Sequence, residues 1–220
     1  MAGAVLFDLD GTLADTAADL GAVLNTLRAE AALPPLAIAA IRPHVSQGVR
    51  GLLRIGFGLG PEHDHYPAMH RRFLARYETA LCETTALFAG VSALLDALDA
   101  RDILWGVVTN KTSRYTLPIV RALGLSQRAA CIVSGDSAPR PKPAPDPLLL
   151  ASTIIGTAPA QCLYLGDDIR DIEAGRAAGM ATAVAAWGYL GDERPPAEWG
   201  AGAIVNSPAD LLCLLSGGTC

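Results

Sequence analysis

Lysine is almost missing from this chain: only two of its 17 basic residues are lysine, Lys111 and Lys142, and the rest are arginine. Basic charge as a whole is in deficit, with a net charge of −5 and a pI near 5.3. A nucleic-acid partner, which demands a basic face to meet the phosphate backbone, is therefore not expected. No apolar run reaches membrane-spanning length and no charged-then-apolar signal opens the chain, so the reading is a soluble, cytoplasmic protein with no membrane contact. Aromatic residues are few, at 5%, and no G-x-G-x-x-G follows a strand, which argues against a dinucleotide cofactor. The five cysteines, Cys82, Cys131, Cys162, Cys213 and Cys220, show no CxxC spacing and an odd count. They read as reduced and mostly buried thiols, with Cys220 as an exposed end. No internal repeat is apparent, Gly56 to Pro61 is a glycine-rich turn, and the pattern says nothing about oligomeric state.

What the chain does have is a hydrophobic strand that runs into acid: Ala4-Val5-Leu6-Phe7-Asp8-Leu9-Asp10-Gly11-Thr12-Leu13. Side chains two apart on a strand share a face, so Asp8 and Asp10 both address whatever lies beyond the strand end. Like charges about 4 Å apart repel by roughly 4 kcal/mol at an effective dielectric near 20, so the pair calls for a cation or a shared proton. Read alone, the segment is equally a strand closing in a polar turn. Three further segments supply what such a pair predicts. Ile103 to Val108 stops at Thr109-Asn110-Lys111-Thr112-Ser113, where Thr112 or Ser113 would cap a helix suited to an anion and Thr109 would hold a phosphate oxygen. Arg140-Pro141-Lys142-Pro143-Ala144-Pro145-Asp146-Pro147 is a proline-stiffened loop presenting one ammonium. Cys162-Leu163-Tyr164-Leu165-Gly166 discharges into Asp167-Asp168-Ile169-Arg170-Asp171, with Asp167 and Asp171 one helical turn apart. In open α/β sheets ligands bind beyond the carboxyl ends of the strands.

In this order, Asp-x-Asp-Gly-Thr, strand-Thr-Asn, Lys-Pro and Gly-Asp-x-x-x-Asp resemble the four motifs of the haloacid dehalogenase superfamily. Within it, Val107 to Lys111 and Lys142 to Leu148 look most like bacterial phosphoglycolate phosphatases, while Gly166 to Arg176 is also similar to the N-acetylmuramic acid 6-phosphate phosphatases. The resemblance implies a phosphomonoester hydrolase acting on a small phosphorylated metabolite. In such enzymes Asp8 would be the nucleophile that forms an aspartyl-phosphate and Asp10 the general acid and base. Thr109, Asn110 and Lys142 would bind the phosphoryl group, and Asp8, Asp10, Asp167 and Asp171 would hold Mg²⁺, with Asp171 acting through water. Phosphoglycolate is the expected substrate and N-acetylmuramic acid 6-phosphate or another sugar phosphate the alternative. A dehalogenase has no alkoxide for Asp10 to protonate. A phosphomutase would keep all four motifs, and a noncatalytic binding protein would be expected to have lost one of the charges.

Both lysines fall inside these motifs. An ammonium is a compact point charge where guanidinium is a broad fork, so a tight phosphate and carboxylate cluster accepts one and rejects the other. Lys142 is therefore read in direct contact with the phosphate. Lys111 is equally a surface lysine at a helix start, and Asp168 is either an outlying acid of the site or a helix N-terminal residue.

The alternation after residue 86 predicts strands near 103–109, 130–134, 162–166, 182–187 and 203–206, beside a first strand at 4–9. Helices are expected near 91–100, 113–123, 146–155, 170–178 and 208–215. That is an α/β fold, a doubly wound parallel sheet with a Rossmann-like core. Residues 14–85 break the rhythm with two long helical patterns, Asp15 to Leu33 and Ala68 to Glu83, and no comparable strand signal. The expected organisation is a core of residues 1–13 and 86–220 with an inserted α-helical cap over 14–85, whose work would be substrate choice and water exclusion. Arg42, Ser46, Gln47 and Arg50 surround a proline-containing break in that cap and are its candidate specificity residues, Arg42 or Arg50 as a carboxylate reader. His63, His65 and His70 lack a closed ligand set and read as solvated.

Overall fold

A computed structural model describes residues 3–191 and 194–216. Six short strands form one parallel sheet: β1 (Ala4–Phe7), β4 (Leu104–Val108), β5 (Cys131–Val133), β6 (Cys162–Gly166), β7 (Ala181–Ala185) and β8 (Ala203–Val205). Their spatial order is β5-β4-β1-β6-β7-β8, so the chain winds outward in both directions from β1. Each predicted strand and each core helix is present, with ends differing by at most two residues. The helices are α5 (Val91–Asp99), α6 (Ser113–Ala122), α7 (Asp146–Ile155), α8 (Ile169–Ala177) and α9 (Pro208–Leu215).

The strands are apolar on both sides because both faces are covered. Val5, Phe7, Val107, Leu163 and Leu165 pack with Leu94, Leu95 and Leu98 of α5, Ile119 of α6 and Leu211 of α9. The alternate residues Ala4, Leu6, Val108 and Tyr164 pack on the opposite face with Leu148 of α7 and Ala174 of α8. The register pairs Phe7 with both Val107 and Leu165, so β4 and β6 run one residue past β1 and the three strands release Asp8, Thr109 and Asp167 at the same carboxyl end of the sheet.

Between β1 and α5 lie four helices, α1 (Ala17–Glu30), α2 (Ile38–Ile41), α3 (Gly48–Phe57) and α4 (Tyr66–Thr79). They bury a separate core of Leu20, Leu24, Leu27, Leu52, Leu53, Phe73 and Tyr77, joined by Tyr115 and Tyr189 from the sheet side. Where this segment leaves and rejoins the rest, two strands of two residues, β2 (Ala14–Asp15) and β3 (Ala86–Leu87), pair antiparallel. The sequence predicts no strand there, since two residues carry no periodicity to read. At the same junction Asp19 accepts hydrogen bonds from the backbone N–H and the hydroxyl of both Thr84 and Thr85.

One expectation fails in the cysteines. Cys82, Cys131 and Cys162 are free thiols, but Cys213 is disulfide-bonded, so the chain is not all thiol. A disulfide requires two Cα atoms within about 7 Å and makes no demand for CxxC spacing, which is why the spacing argument missed it. Cys220 lies outside the described residues. Among the described residues no helix is long and apolar enough to cross a membrane.

Candidate active site

The turn after β1 is shaped by glycine. Gly11 has φ +84°, and a Cβ there would stand 2.1 Å from Asp167 Oδ2, so only glycine lets this turn close over the end of β6. Thr12 then donates its hydroxyl to Asp167 Oδ1 at 2.9 Å. Asp167 also accepts the Tyr189 N–H at 3.0 Å and, from the helical segment, the Ser46 hydroxyl at 2.9 Å. It is fully buried, and desolvation together with Asp8 and Asp171 drives its carboxyl well above the usual range.

Lys142 stands at the centre. Its three N–H bonds go to Val108 O at 3.1 Å, the Tyr164 hydroxyl at 2.7 Å and Asp171 Oδ1 at 2.6 Å. Asp8 Oδ1 lies 3.0 Å from the same Nζ, close enough for an ion pair. All three donors are already engaged, however, and Asp8 Oδ1 is buried without a hydrogen-bond partner. Burial therefore raises the Asp8 carboxyl to about 7, against Lys142 and with help from Asp171 and Asp10. Lys142 itself is shifted upward: burial opposes its charge, but Asp171 and Asp8 outweigh that.

Asp8, Asp167 and Asp171 each bring an oxygen within 4.8 Å of the others. The donor set is all oxygen and anionic, and these residues fit a hard divalent cation such as Mg²⁺. Mutual repulsion in a dry site is what such a cation relieves.

The other sequence-derived residues fall into place around this cluster. Asp10 Oδ1 accepts from Thr16 Oγ1 at 2.5 Å and from Lys111 Nζ at 2.7 Å, so Lys111 is an inward-facing partner of Asp10 and not a surface lysine. Thr109 Oγ1 accepts the Lys111 N–H at 3.2 Å, which leaves its own O–H to donate. Asn110 does not offer its amide freely: Nδ2 donates to Lys142 O and Oδ1 accepts Lys142 N–H, both at 2.9 Å, bracing the lysine loop. Asp168 is the N-cap of α8, accepting the Arg170 N–H at 2.9 Å, while Asp171 accepts the Asp168 N–H in return.

Asp8, Asp10, Thr109, Asn110, Lys142 and Asp171 line one cavity of about 360 Å³. Ser46 and Gln47 reach it from the helical segment. Arg42 and Arg50 do not. The Arg42 guanidinium is held by Asp15 at 2.7 Å and lies over the Tyr189 ring, and Arg50 lines a separate cavity with Arg54 and Arg194. Asp15, carried beside Arg42 by β2, satisfies the Arg42 charge locally. His70, expected to be solvated, instead lines the cavity with its basicity lowered by burial. Tyr77 also lines it and no motif pointed there. It lies on α4, far from every strand end, and reads as an ordinary core aromatic.

Residues 5–185 match the family model described as "Haloacid dehalogenase-like hydrolase". An N-acetylmuramic acid 6-phosphate phosphatase of Pseudomonas aeruginosa is 41% identical over 217 residues, covering 99% of this chain and 96% of that one. A phosphoglycolate phosphatase of Xanthomonas campestris pv. campestris is 44% identical over 214 residues, 94% of each chain. Among solved structures, that of a predicted phosphoglycolate phosphatase from Haemophilus somnus superposes with a TM-score of 0.82 at 28% identity, covering 97% of this chain and 98% of that one. With three strand-end motifs and the Lys142 loop converging on one carboxylate-lysine cluster and a family match over most of its length, the chain belongs to the haloacid dehalogenase-like hydrolases.

Proposed function

We propose that this protein is a magnesium-dependent phosphomonoester hydrolase working through an aspartyl-phosphate on Asp8. The observation that carries the reading is the Asp8 carboxylate, buried at a strand end with Oδ1 3.0 Å from the Lys142 ammonium and no aligned hydrogen bond holding it. Such a carboxylate is placed to attack. In the first half-reaction an Asp8 oxygen bonds to phosphorus, the bond from phosphorus to the ester oxygen breaks, and Asp10 delivers a proton to the departing alkoxide. In the second, Asp10 takes a proton from water as that water attacks phosphorus and frees Asp8. Lys142 balances the charge that spreads over the phosphoryl oxygens, and the free Thr109 hydroxyl donates to one of them. Asn110 keeps Lys142 in place. Asp8, Asp167 and Asp171, with the Asp10 carbonyl, would hold Mg²⁺, which when bound supplies positive charge to the nucleophile and the phosphate.

Residues 14–85 act in this reading as a cap on the core of 1–13 and 86–220. The antiparallel pair β2–β3 and the Asp19 junction support a hinge between them, and Ser46 touching Asp167 supports closure over the site. The reaction belongs in the cytoplasm, with a small phosphorylated metabolite as partner.

Phosphoglycolate is the favoured substrate, in line with several similar relatives of that name. The second reading, N-acetylmuramic acid 6-phosphate, is favoured by the cavity itself, which offers about 360 Å³ and apolar walls of Leu20, Val45, Val49 and Leu74. The test is phosphate release from small phosphoacids, sugar phosphates and N-acetylmuramic acid 6-phosphate, with and without magnesium. Magnesium-dependent release that vanishes in Asp8→Asn supports the reading. Full release by Asp8→Asn refutes it.

A further inference from the structure

The two lysines of this chain both line the cavity and differ in one respect. Lys142 has every N–H engaged. Lys111 Nζ makes one well-formed hydrogen bond, to Asp10 Oδ1, and so keeps donor capacity in reserve. Its side chain is only 10% exposed, so water does not fill that capacity freely. Above it lies the Tyr77 ring, 5.1 Å from Nζ. The Tyr77 hydroxyl is near enough to Lys111 to favour the ammonium, yet it forms no aligned hydrogen bond with it or with any other group, although the residue is only 2% exposed. More than nine in ten buried polar groups are hydrogen-bonded, so the Lys111 ammonium and the Tyr77 hydroxyl, side by side on the wall of one cavity, are two donors with capacity for a further acceptor.

We infer that Lys111 and Tyr77 form the subsite for a substrate carboxylate attached to the same carbon that bears the ester oxygen, as in 2-phosphoglycolate. The inference rests on the phosphatase reading, because the role given to Asp10 places the ester oxygen beside it. Lys111 touches Asp10, so its ammonium lies on the leaving-group side of the site and close to that oxygen. A carboxylate one carbon away falls within its reach. The lactyl carboxylate of N-acetylmuramic acid 6-phosphate, carried across the sugar ring from the phosphate, does not. An ammonium and a phenol present two donors, which match the two oxygens of one carboxylate. Lys111 can hold Asp10 and the substrate together, relieving the repulsion that a third carboxylate would meet beside Asp8 and Asp10. The task expected of Arg42 or Arg50 thus passes to a residue inside the cavity.

The experiment measures kcat and KM for 2-phosphoglycolate, N-acetylmuramic acid 6-phosphate and p-nitrophenyl phosphate, with magnesium, in the wild type, Lys111→Met and Tyr77→Phe. Loss of a charge-assisted hydrogen bond predicts that Lys111→Met lowers kcat/KM for 2-phosphoglycolate about ten- to a hundredfold more than for the aryl phosphate, mainly through KM. Tyr77→Phe shifts the same ratio about fivefold, and because it deletes only an oxygen it decides the matter should Lys111→Met unfold. Equal losses on all three substrates, or an equal loss on the sugar phosphate and 2-phosphoglycolate, overturn the subsite while leaving the phosphatase reading intact. A wild type inert toward all three overturns both.

Discussion

Asp8 and Asp19 are both buried carboxylates, 8% and 3% exposed, yet their protons are held in opposite ways. Burial pushes Asp19 up as it does Asp8, but four hydrogen bonds from Thr84 and Thr85 more than cancel it, and its carboxyl falls below the usual value. Asp8 has a lysine beside it but no hydrogen-bonded Oδ1, and rises to about 7. At the junction, donors have been brought to meet the charge. At the strand end the charge waits for a ligand to meet it. Asp167 sharpens the contrast, because it accepts three hydrogen bonds and is still driven upward by burial and by Asp8 and Asp171. Donor count alone does not separate a structural acid from a functional one; the neighbouring carboxylates do.

The largest effect that tests this contrast comes from Asp8→Asn. If Asp8 is the nucleophile proposed above, this change lowers turnover by on the order of 10⁴–10⁶, as losses of other enzyme nucleophiles do. The same change removes a destabilising charge. With a folded pKa near 7 against 3.8, Asp8 favours folding at low pH, and that contribution is lost as pH rises through 7. In EDTA, Asp8→Asn is therefore expected to melt higher than the wild type at pH 8, with the gap closing toward pH 4. Added magnesium should raise the wild-type melting temperature and leave the variant little changed. A variant no more stable than the wild type at pH 8 would break the comparison.

Lys142→Arg comes next. Four oxygens, those of Val108, Tyr164, Asp171 and Asp8, lie within 3.1 Å of Nζ, and a planar guanidinium cannot meet all of them from the same point. Loss of a charge-stabilising group at such a place lowers kcat/KM by on the order of 10²–10³. Near-normal kinetics would mean that the lysine pattern has no bearing on the chemistry.

Asp19→Ala probes the other carboxylate. It leaves the Thr84 and Thr85 donors unmet at the junction, at about 3 kcal/mol, or roughly 6–12 °C in melting temperature for a chain of this size. The pH dependence has the opposite sign to that of Asp8: a lowered carboxyl stabilises the fold above its unfolded value near 4, and this is lost as pH falls below it. The gap between wild type and Asp19→Ala should thus narrow on acidification, as followed by thermal unfolding between pH 7 and 3.

Asp8, Asp10, Thr109 and Asp167 are legible in the sequence because local patterning places them: an apolar run sets the strand, and the residues directly after it stand at the carboxyl end of the sheet, while Asp171 follows one helical turn on in α8 and Lys142 stands out in a proline-rich loop. The core strands and helices are legible for the same reason. The illegible part depends on contacts between distant segments. Arg42 reads as a substrate residue because its partner Asp15, 27 residues away, is brought to it by a two-residue strand that no pattern announces. Asn110 sits in a phosphate motif, yet its amide is claimed by a loop 32 residues on. Tyr77 belongs to an amphipathic helix in which every aromatic reads as core. Nothing local announces that its hydroxyl lacks a partner.

The smallest effect is expected where the two regions touch. Ser46 is the described residue of the helical segment whose side chain bonds to the carboxylate cluster, through Asp167, and its carbonyl also accepts from Arg170 Nη2. Ser46→Ala removes one neutral donor from a carboxylate that keeps two others, Thr12 and the Tyr189 N–H. A hydrogen bond to a charged group contributes about 1.5 kcal/mol at the low end of its range, around tenfold in an equilibrium. If the bond serves mainly to hold the segment closed over substrate, KM rises up to about tenfold while the magnesium concentration giving half-maximal rate stays the same. If Ser46 instead tunes Asp167 as a ligand, that magnesium concentration moves and KM does not. The first outcome is expected, because the two remaining donors keep Asp167 in place, whereas no other described side chain of residues 17–79 bonds to this cluster. The second would make Ser46 part of the functional charge cluster and blur the line drawn between the two regions.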